Sequence, residues 1–157
     1  MMSVYRCPVK PSWLDLNGHM NVVPYFEVFC DAYTLACRDL GLGPEYMETG
    51  QSLFAGDFHI TYVREVLAGS TLTVNTRIID VDPKRFLFHQ EMIDDRHGAL
   101  AATAEHVQLN VGFQSRKVEP FRPNVLEKLR EAQRGVDQHR LRNVGRVAAL
   151  KSGAPAR

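Results

Sequence analysis

The segment SWLDLNGHMN, residues 12–21, carries the side chains best suited to chemistry in this sequence. An unperturbed aspartate has a pKa of about 3.9, so Asp15 is ionised at neutral pH and can attack a carbonyl carbon or deprotonate a water. Gly18 lets the chain turn sharply and lets a ligand approach the backbone. The segment therefore predicts a site for chemistry on a polarised carbonyl. Its other polar residues, which would shape the site, are Asn17, His19 and Asn21.

Each of these residues also has a purely structural interpretation. His19 would orient the carboxylate or contact the substrate, or it would form a hydrogen bond that only holds the loop. Asn17 and Asn21 would bind the attacking water, or they would stabilise a turn and cap a helix. Asp15 itself could serve as a cap in the loop. The residues alone leave these alternatives open.

An amphipathic helix is predicted directly after this segment, over residues 22–40. Apolar residues recur every three or four positions there, with polar residues between them. Asn21 is a suitable N-cap, and glycines end the helix after residue 40. Free amides at a helix start carry partial positive charge. Because Pro24 has no N–H, the predicted donors to a developing oxyanion are the amides of Val22 and Val23.

Five β-strands are predicted around this helix. The first covers residues 4–10, and the others cover residues 53–66, 71–81, 85–94 and 100–113. The alternation of apolar residues slips at Ile78 and Ile79, which predicts a bulge or burial of both faces there. Because the connections are short, successive strands after the helix are expected to pair as antiparallel hairpins.

This order of elements predicts an α+β fold in which a five-stranded antiparallel sheet wraps around one long central helix. One helix cannot cover both faces of the sheet, so the other face is left for solvent or a partner, which favours an oligomer. A short helix over residues 125–134 completes a domain of residues 1–134. Residues 135–157 form a basic tail, interpreted as partly disordered or as a mobile helix, with contact to phosphate as the alternative.

Composition argues against several classes of function. The chain has 157 residues and a formal net charge of +1, which gives no general attraction to nucleic acid or to acidic membranes. No apolar run approaches the ~20 residues of a membrane span, and the N-terminus lacks the apolar core of a signal peptide. The histidines show no metal-ligand pattern, and no glycine-rich phosphate loop is present. Three cysteines without metal or redox spacing predict reduced thiols in the cytoplasm, at Cys7, Cys30 and Cys37.

The segment Trp13–Asn21, followed by Tyr25 and Phe26, resembles the signature of hotdog-fold acyl-CoA thioesterases of the 4-hydroxybenzoyl-CoA thioesterase-like family. In that family an aspartate is followed three residues later by glycine and then by a histidine or an apolar residue. The likeness covers roughly residues 4–123 and implies the hotdog fold. Further stretches resemble the betainyl-CoA thioesterases associated with carnitine dehydrogenases, and these are residues 46–52, 58–60, 84–85 and 105–106.

The resemblance implies that Asp15 is the catalytic carboxylate, acting as nucleophile or as general base on an acyl-CoA thioester. Coenzyme A is then part of the substrate, and no cofactor or metal is implied. The residues after the aspartate depart from those of the best-known aromatic-acyl enzymes, so aromatic specificity is not carried over. The resemblance also implies a homodimer or homotetramer with its active site at a subunit interface.

Pocket residues are predicted from their chemistry and their nearness to the motif. A quaternary ammonium on the acyl group would favour an aromatic cage with an acidic counter-charge, and the CoA phosphates would need cations at the pocket mouth. Core packing and surface solvation are the alternatives for all of these residues. The predicted acyl pocket comprises Trp13, Tyr25, Phe26, Phe54, His59 and Glu105. The predicted CoA contacts are Arg64, Arg116 and Lys117.

Two other functions remain as alternatives. A hotdog hydratase or dehydratase would join a histidine to an acid on the central helix, and this helix carries Glu27 and Asp31 but no histidine. A non-catalytic acyl-CoA-binding module is the other alternative. Tight binding of an acyl-CoA that stays intact would distinguish such a module from an enzyme.

Overall fold

The computed structural model of the protein describes residues 2–147. It has the predicted α+β architecture, with a five-stranded antiparallel sheet wrapped around one long helix. In chain order, the elements are β1 (Met2–Pro8), α1 (Val22–Asp39), α2 (Pro44–Met47), β2 (Gln51–Tyr62), β3 (Thr71–Val81), β4 (Arg85–Asp94), β5 (Ala99–Gly112) and α3 (Pro123–Gln133). The boundaries lie within a few residues of those predicted, and the single turn α2 was not predicted.

Helix α1 begins as the sequence predicts. Asn21 is the N-cap, and Pro24 lies in the first turn, where its missing N–H costs no hydrogen bond. The helix buries one face against the concave side of the sheet, where Val28 and Phe29 are completely inaccessible to solvent. Its opposite face is exposed, and this places the start of the helix at the surface of the subunit.

The strand order is β1-β3-β4-β5-β2, which corrects one expectation about pairing. β3, β4 and β5 form the predicted hairpins, but β2 pairs with β5 and does not pair with β3. The connection from β2 to β3 is held elsewhere, because the Met20 amide donates to the Val66 carbonyl (2.8 Å) and the Val9 amide donates to the Ser70 carbonyl (2.9 Å). The connection between β2 and β3 therefore crosses the end of the sheet, and β2 lies at its edge.

The predicted irregularity in β3 is confirmed. The register between β3 and β4 shifts between Ile78 and Asp80, and both Ile78 and Ile79 are buried. Ile78 packs in the cluster on the helix side of the sheet, whereas Ile79 packs on the opposite, outer face. The bulge therefore lets two successive side chains of the strand pack in separate apolar clusters, one on each face of the sheet.

Residues 135–147 lie across that outer face, and we call them the strap. Apolar side chains of the strap pack against the sheet, and polar contacts run along its length. The expectation that the outer face is left to solvent or a partner is therefore corrected, since the chain itself covers part of it. The apolar strap residues are Val136, Leu141, Val144 and Val147.

The strap is the first part of the predicted basic tail, and the rest of that tail, residues 148–157, lies outside the described residues. Within residues 135–147 the only regular element is a short 3-10 turn, Gln138–Arg140. This segment is packed against the sheet because it supplies apolar side chains to Ile79, Leu87 and Val107. Among residues 2–147, no helix is both long and apolar enough to cross a membrane.

Candidate active site

Asp15 begins a tight loop between the first strand and α1. Leu14 and Met20 form an antiparallel bridge, and the Asp15 amide donates to the His19 carbonyl at 2.8 Å. Gly18 closes this loop with a φ of +77°, a conformation that side chains with a Cβ rarely adopt. No atom lies within 4 Å of the place a Cβ would take, so backbone conformation selects glycine here.

One oxygen of the Asp15 carboxylate is fixed by the loop itself. Its Oδ1 accepts the amides of Asn17 (2.8 Å) and His19 (3.0 Å). The amide of His19, followed by that of Asn17, holds the pKa of Asp15 below its usual value. The side chain is exposed, and a hydrogen bond from the Asn17 side chain lowers its pKa further. The arrangement therefore presents an exposed, ionised carboxylate whose Oδ1 is fixed by the loop.

The backbone of His19 bonds to Asp15, whereas its ring lies near another carboxylate. Its Nε2 lies 3.4 Å from Oε2 of Glu65, and both side chains are substantially exposed. The same residue forms a bridge to Leu67 in the connection after β2. The ring thus pairs with a carboxylate other than Asp15, and Glu65 is a neighbour that the sequence pattern did not single out.

The start of α1 offers fewer free donors than predicted. The Val22 amide donates to the Asn21 side-chain oxygen at 2.7 Å, so it is already engaged. No side chain among residues 2–147 accepts from the Val23 amide, which leaves it as the available donor of the predicted pair. The Asn21 amide donates to the Trp13 carbonyl at 2.8 Å, and this bond ties the helix start to the base of the Asp15 loop.

Two aromatic pairs join the first turns of α1 to β2. The rings of Tyr25 and Tyr62 meet edge to face with centroids 5.1 Å apart, and those of Phe26 and Phe58 meet at 4.9 Å. Phe26 is 46% exposed, although it lies one turn into the helix. The structure thus brings predicted pocket residues Tyr25 and Phe26 together, beside the free edge of the sheet.

The other predicted pocket residues lie elsewhere. Trp13 is buried in the main core with the Lys10 ammonium 4.7 Å from its ring centroid. Phe54 pairs with Leu109, and His59 pairs with Glu105, on the outer face. A register shift between Ala55 and Asp57 explains this, because it changes which side chains of β2 face α1.

Glu105, a predicted pocket residue, lies under the strap on the outer face of the sheet. Its carboxylate is 2% exposed and accepts three consecutive amides of the strap, those of Gly145 (2.8 Å), Arg146 (2.6 Å) and Val147 (2.8 Å). Three charge-assisted bonds compensate the burial of this charge. The polar position in an apolar strand therefore marks the anchor of the strap.

The predicted CoA contacts fall at opposite ends of β2. Arg64 follows the Tyr62 end, near the Asp15 loop, and its amide donates to the Ala101 carbonyl. Arg116 and Lys117 form a turn at the other end, where both bond to Gly112, the partner of Gln51. At about 3.3 Å per residue, the 12-residue strand separates the two groups by roughly 36 Å within one chain.

Comparison with known proteins identifies the family. Residues 9–129 match the model of the thioesterase-like superfamily. A betainyl-CoA thioesterase of Pseudomonas aeruginosa is 31% identical over 154 residues, covering 96% of each chain. An L-carnitine dehydrogenase/betainyl-CoA thioesterase of Agrobacterium fabrum is 31% identical over 82% of this chain, which spans only 26% of that relative's length. The chain belongs to the thioesterase-like superfamily.

Solved structures agree on the fold. A Staphylococcus aureus protein solved in complex with CoA superposes with a TM-score of 0.80 over 85% of this chain and 84% of its own, at 24% identity. At that identity the likeness concerns the fold alone. Together with the family match, it confirms the hotdog architecture that the sequence motif implied.

Proposed function

We propose that this protein is an acyl-CoA thioester hydrolase and that Asp15 is its catalytic carboxylate. The observation that carries the proposal is an exposed, ionised carboxylate with Oδ1 fixed by two loop amides, in a loop tied to the start of α1. The membership of the chain in a thioesterase-like superfamily supports the same reaction.

The geometry suits two routes to the same products. In one, Oδ2 of Asp15 attacks the thioester carbonyl, the C–S bond breaks to release the CoA thiolate, and water then hydrolyses the mixed anhydride. In the other, Asp15 takes a proton from a water that attacks the carbonyl directly. In both routes a partial negative charge develops on the carbonyl oxygen, and we assign its stabilisation to the Val23 amide at the positive end of α1.

We further propose a small cationic acyl group, with betainyl-CoA as the first candidate. Two relatives that carry this name support it. So does the aromatic surface formed by Phe26 and Phe58, since ring faces attract quaternary ammonium groups. The three free cysteines fit a cytoplasmic protein, where thiols stay reduced.

We also propose that the protein acts as a homodimer or homotetramer that uses β2. This strand pairs with β5 on one side only, and large apolar side chains around it are exposed. An unpaired edge of this length is a template for pairing with a second copy. The exposed apolar residues near the edge are Val22, Val23, Phe26, Phe54, Tyr62 and Val63.

Replacement of Asp15 tests the catalytic assignment. Asp15→Asn and Asp15→Ala should lower kcat by about 100-fold or more on short and polar acyl-CoAs, because neither side chain is a nucleophile or base at neutral pH. Release of the CoA thiol gives the rate. Glu131→Gln is the matched control, since Glu131 is an exposed carboxylate on α3, away from β2, and it should leave kcat unchanged.

Two results would contradict the proposal. Wild-type turnover by both Asp15 variants would remove Asp15 from the mechanism. Tight binding of acyl-CoAs that remain intact in the wild-type protein would instead identify a non-catalytic acyl-CoA-binding module.

A further inference from the structure

A row of three rings runs from the surface at the first turns of α1 to the interior. Phe26 on α1 is half exposed and meets Phe58 on β2 edge to face, with ring centroids 4.9 Å apart. Behind Phe58 lies His106 on β5, nearly parallel to it, with centroids 4.7 Å apart and an interplanar angle of 14°. The pairing of Phe58 with His106 in the sheet places both side chains on the face toward α1.

The imidazole of His106 is held on every side. It is completely buried, and the rings of Tyr33 and Phe88 pack against it at centroid distances of 5.4 and 5.2 Å. The side-chain amide of Gln108 is hydrogen-bonded to its Nδ1 at 2.9 Å. Burial lowers the pKa of His106 to about 3, so the ring is neutral. No positive charge therefore lies beneath Phe58.

A histidine is an unexpected choice for core packing at this position. Its Nε2 has no hydrogen-bond partner in the described part of the chain, and a phenylalanine would stack on Phe58 without leaving a polar atom unsatisfied. What an imidazole adds is the bond to Gln108, which fixes the rotation of the ring about its own axis. Buried side chains that are held in one orientation but keep a polar atom without a hydrogen bond are more common at functional sites than elsewhere.

The surroundings of the outer rings carry no fixed cation. Helix α1 has no lysine or arginine before Arg38, and β2 has none at all. The charged side chains of α1 in that stretch are Glu27 and Asp31. A cationic group at Phe26 and Phe58 would therefore meet aromatic rings without repulsion from either element.

We propose that His106 is a positioning residue that holds Phe58 against Phe26, so that the two phenylalanines form the wall that recognises a quaternary ammonium on the acyl group. This inference rests on the proposed thioesterase function and names the residues that select its substrate. His106 does not touch the acyl group in this arrangement, and it acts through Phe58.

The test compares betainyl-CoA with 3,3-dimethylbutyryl-CoA, a neutral thioester of the same shape. The wild-type protein should have a KM for betainyl-CoA about tenfold below that for the neutral thioester, as expected for a partly desolvated cation–π contact. His106→Ala and Phe58→Leu should each remove this preference while kcat changes little. His106→Phe keeps the stack and should retain most of the preference. Phe121→Leu, an aromatic replacement in the core cluster away from Phe26 and Phe58, is the matched control.

Thermal unfolding of each variant shows whether it folds, and calorimetric binding of a non-hydrolysable thioether analogue of betainyl-CoA repeats the comparison without turnover. An equal change for both substrates in His106→Ala, or an unchanged preference, would overturn the positioning role. Equal KM values in the wild-type protein would overturn the cationic wall itself. Preferential binding of the cationic analogue without hydrolysis of any acyl-CoA would support the wall and overturn the proposed thioesterase function.

Discussion

At the scale of single residues, the site depends on how two polar side chains are held. Asp15 is exposed, and two backbone amides keep it ionised. His106 is buried, and removal from water keeps it neutral. The first arrangement favours a reactive carboxylate, whereas the second gives a polar ring that does not change its charge near neutral pH.

Buried neutral histidines make the stability of the fold sensitive to acid. Burial lowers the pKa of His106 to about 3 from an ordinary 6.5, and it also lowers the pKa of His89. Below pH 6.5 the unfolded chain binds protons that the folded chain does not, so stability is present above that pH and is lost as pH falls toward the folded pKa. Between pH 7.5 and 5.0, His106 alone should cost about 2 kcal/mol of the free energy of unfolding.

Urea unfolding at the two pH values measures this loss. His106→Phe should flatten the pH dependence, because no proton can bind at that position. His97→Gln replaces an exposed histidine and should leave the dependence as in the wild-type protein. The same loss in His106→Phe as in wild type would rule out His106 as its source.

At the scale of elements, the strap is the segment whose role differs most from expectation. Its backbone amides converge on Glu105, and the His89 ring bonds to the Arg142 carbonyl at 2.8 Å. Its apolar side chains complete a second, smaller core on the outer face. A buried carboxylate thus organises an irregular segment that has little regular structure of its own.

Removal of that carboxylate should release the strap. Glu105→Ala leaves three amides without their acceptor and should lower the free energy of unfolding by about 3 kcal/mol. Amide exchange at residues 142–147 should quicken more than exchange in β5. Glu105→Gln keeps one acceptor oxygen, so its free energy of unfolding should lie between those of the wild-type protein and Glu105→Ala. Glu127→Gln breaks only an exposed pair with Arg134 and should change stability by less than about 0.5 kcal/mol. Unchanged exchange in Glu105→Ala would contradict the anchoring role.

At the scale of the whole molecule, we propose that the site is shared between two copies of the chain. Asp15 and Arg64 lie at one end of β2, and Arg116 and Lys117 lie at the other. Antiparallel pairing of β2 with the same strand of a second copy would bring the second copy's cationic turn beside the first copy's Asp15 loop. The CoA phosphates would then be bound by both copies.

Complementation between two inactive variants tests this arrangement. One copy carries Asp15→Ala, and the other carries Arg116→Ala together with Lys117→Ala. In a mixed dimer, one of the two sites combines the intact Asp15 with the intact cations. Because an equal mixture contains about half mixed dimers, about a quarter of the wild-type activity should return, with a normal KM for the acyl-CoA. A mixture of Asp15→Ala with the wild-type protein is the control that measures how completely the subunits exchange. Activity that returns only with a raised KM would show that each chain uses its own cations.

The sequence by itself determined the local features of this protein. Helix α1, its Asn21 cap, the strands β3 and β4, and the irregularity at Ile78 follow from periodicity and capping, which depend on residues close together in the chain. The family motif around Asp15 is also a local feature, because the aspartate and the amides that fix it are at most four residues apart.

Only the tertiary structure decided which distant residues share a face. Because of the bulge near Gly56, Phe54 and His59 share the outer face of the sheet and Phe58 lies on the inner face. No pattern in the local sequence predicts this bulge. Glu105 and His106 are adjacent in sequence, yet one anchors the strap and the other lies behind the aromatic wall. Side chains alternate across a strand, so their roles depend on what packs on each face, and that is settled by segments far away in the chain.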